Sequence, residues 1–174
     1  MKKKFVMEVP PIDFGDNVFL SIVAKVPDYI MADSLNRLYD LNLHRVVDLM
    51  PMGFPCYIDR SHDPLEYKLV HLTGVDNSFL LIVGGSGRAQ EEVTCICNEF
   101  SAPDIQPDPY DLPAVERQEI LHRFHESFTI VNEVRFTEKE LALASSPGRR
   151  VLKGRAALAD LYARILDAID LSRC

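Results

Sequence analysis

NVFLSIVAKVPDYIMADSLNRLYDLNLHRVVD, residues 17–48, holds a strand, a helix and a second strand in one short window. Val18 to Ala24 is an apolar, β-branched run suited to a buried strand. Pro27 and Asp28 then mark a helix start, with Asp28 read as its cap. Tyr29 or Ile30, Met31, Leu35 and Leu38 recur at roughly helical spacing as one apolar stripe, while Asp33, Asn36 and Arg37 take the other side. Such a helix packs on a sheet. A turn built on Asp40 and Asn42 leads back into LHRVVDL, residues 43–49, as the next strand.

Working outward, three further strands are expected at Cys56 to Asp59, Leu65 to Leu72 and Ser78 to Val83. Arg60-Ser61-His62-Asp63-Pro64 and Thr73-Gly74 with Asp76-Asn77 supply turn chemistry between them, and links this short favour antiparallel pairing. Gly84-Gly85-Ser86-Gly87 closes the meander. In AQEEVTCICNEF, residues 89–100, Val93, Cys95 and Cys97 alternate as in a strand while the opening residues favour helix. Residues 101–113 carry four prolines and three aspartates, so they read as a surface loop, mobile or loosely packed.

From Pro113 the pattern is helical on Ile120, Leu121, Phe124, Phe128 and Val131, with Asp111 available as cap. FTIVNEVRF, residues 128–136, fits helix and strand alike. Thr137 to Glu140 is a capping-box pattern that starts a short helix, and the chain closes with an amphipathic helix on Leu158, Leu161, Tyr162, Ile165 and Ile169. The expected fold is α+β: an antiparallel sheet of about four to six strands, covered mainly on one face by helices near 28–39, 113–128 and 153–172. Residues 1–174 are expected as a single domain with a Pro/Asp-rich loop or insertion at about 88–112.

Composition narrows the class. Of 174 residues, 47% are hydrophobic and 26% charged, and no apolar run approaches the length of a membrane span. Glu8 and the Pro10-Pro11 pair interrupt the basic, apolar N-terminus, so no export signal is expected. Cys56, Cys95, Cys97 and Cys174 are read as reduced thiols of a cytoplasmic protein, with Cys95 and Cys97 as buried strand thiols. The net charge of −7 argues against general nucleic-acid binding. Residues 91–119 carry eight acids and one base, whereas six bases face three acids from Ser145 onward. Charge runs of this kind are solvated faces or attract one another within the fold.

Among chemical motifs, Gly84-Gly85-Ser86-Gly87-Arg88 lacks the remainder of a P-loop, of GxGxxG and of a nucleophile elbow, so it reads as a turn. His122 and His125 at i, i+3, or Cys95 and Cys97, do not complete a ligand set, so neither a metal nor another cofactor is expected. Asp59, His62, Asp63 and Glu66 lie in or beside a turn and are not read as an acid/base pair. The most specific polar set is Asp28, Tyr29, Asn36, Arg45 and Asp48, which one helix and its two strands bring within reach of each other as a candidate binding site.

DYIMADSLNRLYDLNLHRVVDL, residues 28–49, resembles the opening of the IPExxxVDY family of small bacterial proteins through Asp28-Tyr29, Leu35-Asn36, His44-Arg45 and Asp48. Val75-Asp76 leading into FLLIVGG resembles that family's Val-Asp-Tyr-Phe-Leu strand, and ILHRFHESFTIVNEVRFTEKEL its C-terminal helix and turn. The Ile-Pro-Glu triplet is missing, and Asn77-Ser78 precedes Phe79 where the family has tyrosine. The resemblance implies no activity, because the family has none established.

The leading functional reading is a non-enzymatic interaction or adaptor protein with a protein partner, in which a homo-oligomer is also accommodated. A second is a small-ligand-binding protein or enzyme with a pocket between sheet and helices. A third, RNA-associated reading rests on the basic end of the chain and on the family's gene neighbourhood.

Overall fold

The computed structural model describes residues 14–49, 52–75, 77–85, 87–101, 109–126, 130–145 and 151–171. The chain divides into two compact units: Gly15–Arg135, and a second made by Phe14 with the chain from Phe136 onward.

The first unit contains β1 (Val18–Val23), α1 (Asp28–Tyr39), β2 (His44–Leu49), β3 (Phe54–Asp59), β4 (Glu66–His71), β5 (Ser78–Gly84), α2 (Ala89–Ser101), α3 (Leu112–Glu126) and β6 (Ile130–Val134). The six strands form one sheet in the order β2-β3-β4-β5-β1-β6, antiparallel throughout. The short turns between β2 and β5 give the expected meander. Residues 130–134, which fit either period in the sequence, form an edge strand against β1, with Ile22 opposite Val131.

Strand alternation sorts the side chains onto two faces. Leu20, Ile22, Tyr57, Tyr67, Leu69, Phe79, Leu81 and Val83 point to one face and form a continuous core with α1, α2 and α3. The other face carries Phe19, Cys56, Ile58, Lys68, Val70, Leu80 and Ile82, all buried. β5 is buried at every position, as its unbroken SFLLIVG run requires.

α1 buries Met31, Ala32, Leu35 and Leu38. Its apolar stripe therefore starts at Met31, because Tyr29 and Ile30 are 62% and 37% exposed. The cap also differs from expectation. Pro27 is the N-cap, with extended backbone and no side-chain cap bond, and Asp28 is the first helical residue, where its charge complements the helix dipole. Asp40 ends the helix in the left-handed region at φ 52°, and its N–H donates to the Asn36 carbonyl.

Two periodicities compete in residues 89–100, and the helical one prevails: Ala89, Val93, Ile96 and Phe100 are buried at spacings of four, three and four. Cys95 is consequently exposed and Cys97 half-buried on a helix, so they are not the buried strand thiols expected, whereas Cys56 is buried in β3. The loop or insertion expected at about 88–112 thus opens with a helix of the core, and residues 102–108 of the Pro/Asp-rich stretch lie outside the described residues. Asp111 caps α3 as expected, accepting from the Ala114 N–H at 3.2 Å.

In the second unit, α4 (Glu138–Ala144) carries the expected capping box: Thr137 Oγ1 accepts from the Glu140 N–H at 3.3 Å while Glu140 Oε2 accepts from the Thr137 N–H at 2.8 Å. α5 (Arg155–Leu171) buries Tyr162, Ile165 and Ile169. Phe136 stacks on Phe14 at 5.5 Å and meets Tyr162 edge-on at 5.8 Å, under the guanidinium of Arg155.

Candidate functional site

The five residues singled out in the sequence do not converge. Asp28 accepts from the Tyr57 hydroxyl at 3.0 Å, and Arg45 stands opposite Tyr57 across the β2/β3 ladder, so these two share a row. Tyr29 is exposed beside Asp28. Asn36, two turns along α1, binds Leu43 instead: Oδ1 accepts from the Leu43 N–H at 2.8 Å and Nδ2 donates to the Leu43 carbonyl at 3.1 Å. The side chain of Asp48 lies outside the described residues. About eight residues separate Asp28 from Asn36, roughly 12 Å along a helix, which one small ligand does not bridge.

A tighter polar constellation lies at the end of the sheet where β3 leaves and β4 begins. Asp59, 1% exposed, accepts four bonds: Asn42 N–H at 2.8 Å, Ser61 N–H at 2.7 Å, Ser61 Oγ–H at 2.6 Å and the His62 ring at 3.0 Å. Burial alone pushes this carboxyl up, yet the donors from Asn42 and Ser61, with His62 beside it, outweigh burial and hold it below the usual carboxylate value. It is therefore a buried, ionised anchor.

Tyr67, paired across the ladder with Asp59, stands nearly perpendicular to the His62 ring with centroids 5.9 Å apart and donates to Glu92 at 3.4 Å. Burial and then the Glu92 carboxylate push the Tyr67 phenol up to about 12, so it remains a donor. Gly85 closes the site from the β5–α2 connection. Its φ is +90° and a Cβ there would stand 2.2 Å from the Pro64 carbonyl oxygen, so only glycine lets this connection approach the 60–65 turn.

Sequence reasoning placed Asp59 and His62 in a turn without pairing them, and the structure corrects this. The local signal is Asp-x-Ser-His, in which an aspartate at the end of a strand collects the N–H groups of the next residues. Its fourth donor, Asn42, comes from 17 residues away and has no local signature.

Other motifs assemble less. His122 pairs with Glu126 at 3.4 Å on the exposed side of α3, and the side chain of His125 lies outside the described residues. No group of three or more His, Cys, Asp or Glu among the described residues is arranged to hold a metal ion. Arg117 of α3 donates to the Leu38 carbonyl and to Glu99 of α2 and lies over the Tyr39 ring at 5.3 Å, so it staples the ends of three helices.

The opposite end of the sheet carries exposed apolar side chains. Val23 closes β1 opposite Ile130 and Ser78, and the Ala24 N–H donates to the Asn77 carbonyl at 2.9 Å. This brings Val75, bonded through its carbonyl to the Ser78 N–H, and Ile130 to the two sides of the β1 terminus, four residues before α1 begins. Val75 is 54% and Ile130 55% exposed, and Tyr29 and Ile30 emerge in the first turn of α1. No described helix is long and apolar enough to cross a membrane. No known family model and no curated protein sequence matches this chain.

Proposed function

We propose that this chain is a protein-interaction or adaptor module of the cytoplasm, and that it docks through the apolar end of its sheet. Four large apolar side chains, Val75 and Ile130 on the two sides of the β1 terminus and Tyr29 and Ile30 in the first turn of α1, are each more than a third exposed; this exposure carries the reading. Single exposed apolar residues are ordinary, whereas several flanking one end of a sheet expose apolar surface that association with a partner removes from water. Asp28 and Tyr29, two of the residues that carry the IPExxxVDY resemblance, open α1, and membership of that family is part of the proposal.

The test is the native complex. Tagged chain in a cell extract is expected to migrate above its monomer size, and a variant with Val75→Glu and Ile130→Lys, shown folded by circular dichroism, is expected to return to that size. Identical migration of the two would count against the docking surface. A specific small ligand retained by both, at a site away from these four residues, would favour the ligand-binding reading.

A further inference from the structure

The contacts of His62 fix the position of its proton. Nδ1 lies 3.0 Å from Asp59 Oδ2 and 3.1 Å from Ser61 Oγ. The ionised carboxylate only accepts. The Ser61 hydroxyl donates its hydrogen to Asp59 Oδ1 at 2.6 Å, so toward the ring it offers lone pairs alone. Nδ1 therefore carries the hydrogen, and in the neutral ring the lone pair belongs to Nε2, since the other tautomer would set three lone pairs against one another. Among the described residues no group bonds Nε2. The Tyr67 ring stands nearly perpendicular to the imidazole, with centroids 5.9 Å apart. The carboxylate is 1% exposed and the imidazole 34%, so the anchor is buried behind a ring that solutes reach.

This is a base and its orienter without the serine of a triad. Ser61 shares the Nδ1 side with Asp59 and does not face Nε2. We infer that Asp59 and His62 form an oriented dyad whose Nε2 acts on small, uncharged acyl esters, with His62 as nucleophile and Asp59 as positioning residue. Nε2 bonds to the acyl carbon, and the carbon–oxygen bond to the leaving group breaks and takes its electron pair with it. The resulting acyl-imidazolium keeps its Nδ1–H on Asp59. Water then adds to the acyl carbon, the carboxylic acid leaves, and one proton passes to solvent as the neutral ring returns. Uncharged substrates fit because the Asp59 carboxylate behind the ring disfavours an anion there.

The experiment uses the full chain with p-nitrophenyl acetate as probe, alongside long-range proton–nitrogen NMR of the ring at a pH where it is neutral. The wild type is expected to show Nδ1 protonated and Nε2 bare. His62→Gln should lose most of the nitrophenolate release above buffer, and His122→Gln should retain it. Asp59→Asn should shift the ring toward a tautomer mixture and slow release while His62 is still present, which a purely structural role would not do. Equal release by wild type and His62→Gln, or a wild-type ring protonated at Nε2, would overturn the inference. Should Asp59→Asn fail to fold, the wild-type tautomer and the His62→Gln comparison decide by themselves.

Discussion

Asn36 and Leu43 exchange two hydrogen bonds, side-chain amide to backbone peptide, so Asn36 pairs with the chain leaving α1 as a neighbouring strand would. The Asn36 carbonyl meanwhile accepts from the N–H groups of Asp40 and Leu41. One residue therefore ends the helix and starts the next strand. Asn36→Asp keeps the acceptor but turns the donor into a second acceptor facing the Leu43 carbonyl. It is expected to cost about 1–3 kcal/mol, and Asn36→Ala a similar amount, in urea melts.

Leu35 is fully buried, while Arg37 on the far side of α1 forms exposed pairs with Asp33 and Glu116, both at 3.1 Å. Leu35→Ala should cost about 2–5 kcal/mol through lost burial and a residual cavity. Arg37→Ala should stay within roughly 0.5 kcal/mol, because solvent screens pairs this exposed. Denaturant melts of the two variants compare them directly, and the reverse order would put the helix on the wrong phase.

Asp59 makes stability depend on acid in a defined direction. Its folded carboxyl sits below the unfolded value, so the stabilisation is fully present above the unfolded value of about 4 and is lost as pH falls through the lower folded value. Wild type should lose stability relative to Asp59→Asn as pH drops below about 4. Thermal melts across that window check the sign.

Gly85→Ala should destabilise by about 1–3 kcal/mol, since it combines a left-handed backbone with a Cβ driven into the Pro64 carbonyl. The displaced turn carries His62, so the variant should also broaden or shift the His62 ring resonances. Unchanged stability and an unchanged ring would mean that the connection has room to retreat.

How far the sequence could be read depends on the range of each interaction. The phase of Leu35 and Leu38, the capping box of Thr137 with Glu140 and the cap at Asp111 are all set by residues within a turn or two, and all stand as expected. Ala89 to Phe100 carried a strand period and a helix period at once, and only packing of Val93 and Ile96 against the sheet chose between them. The candidate site was the least legible part. Asp28 and Asn36 lie two turns apart along α1 and Arg45 lies on β2, although all share one sequence window, whereas Asp59 draws its donors from its own turn and from the distant Asn42. Polar residues close in sequence mark a site only when the backbone between them turns back.

The apolar end of the sheet is tested most directly by placing a photoreactive phenylalanine analogue at position 75 in living cells, with the same replacement at Glu119 on α3 as a control. Illumination at position 75 is expected to give one discrete heavier adduct that Tyr29→Ser with Ile130→Lys abolishes, and position 119 should give none. No adduct at position 75, or one of equal yield at both positions, would contradict docking at the end of β1.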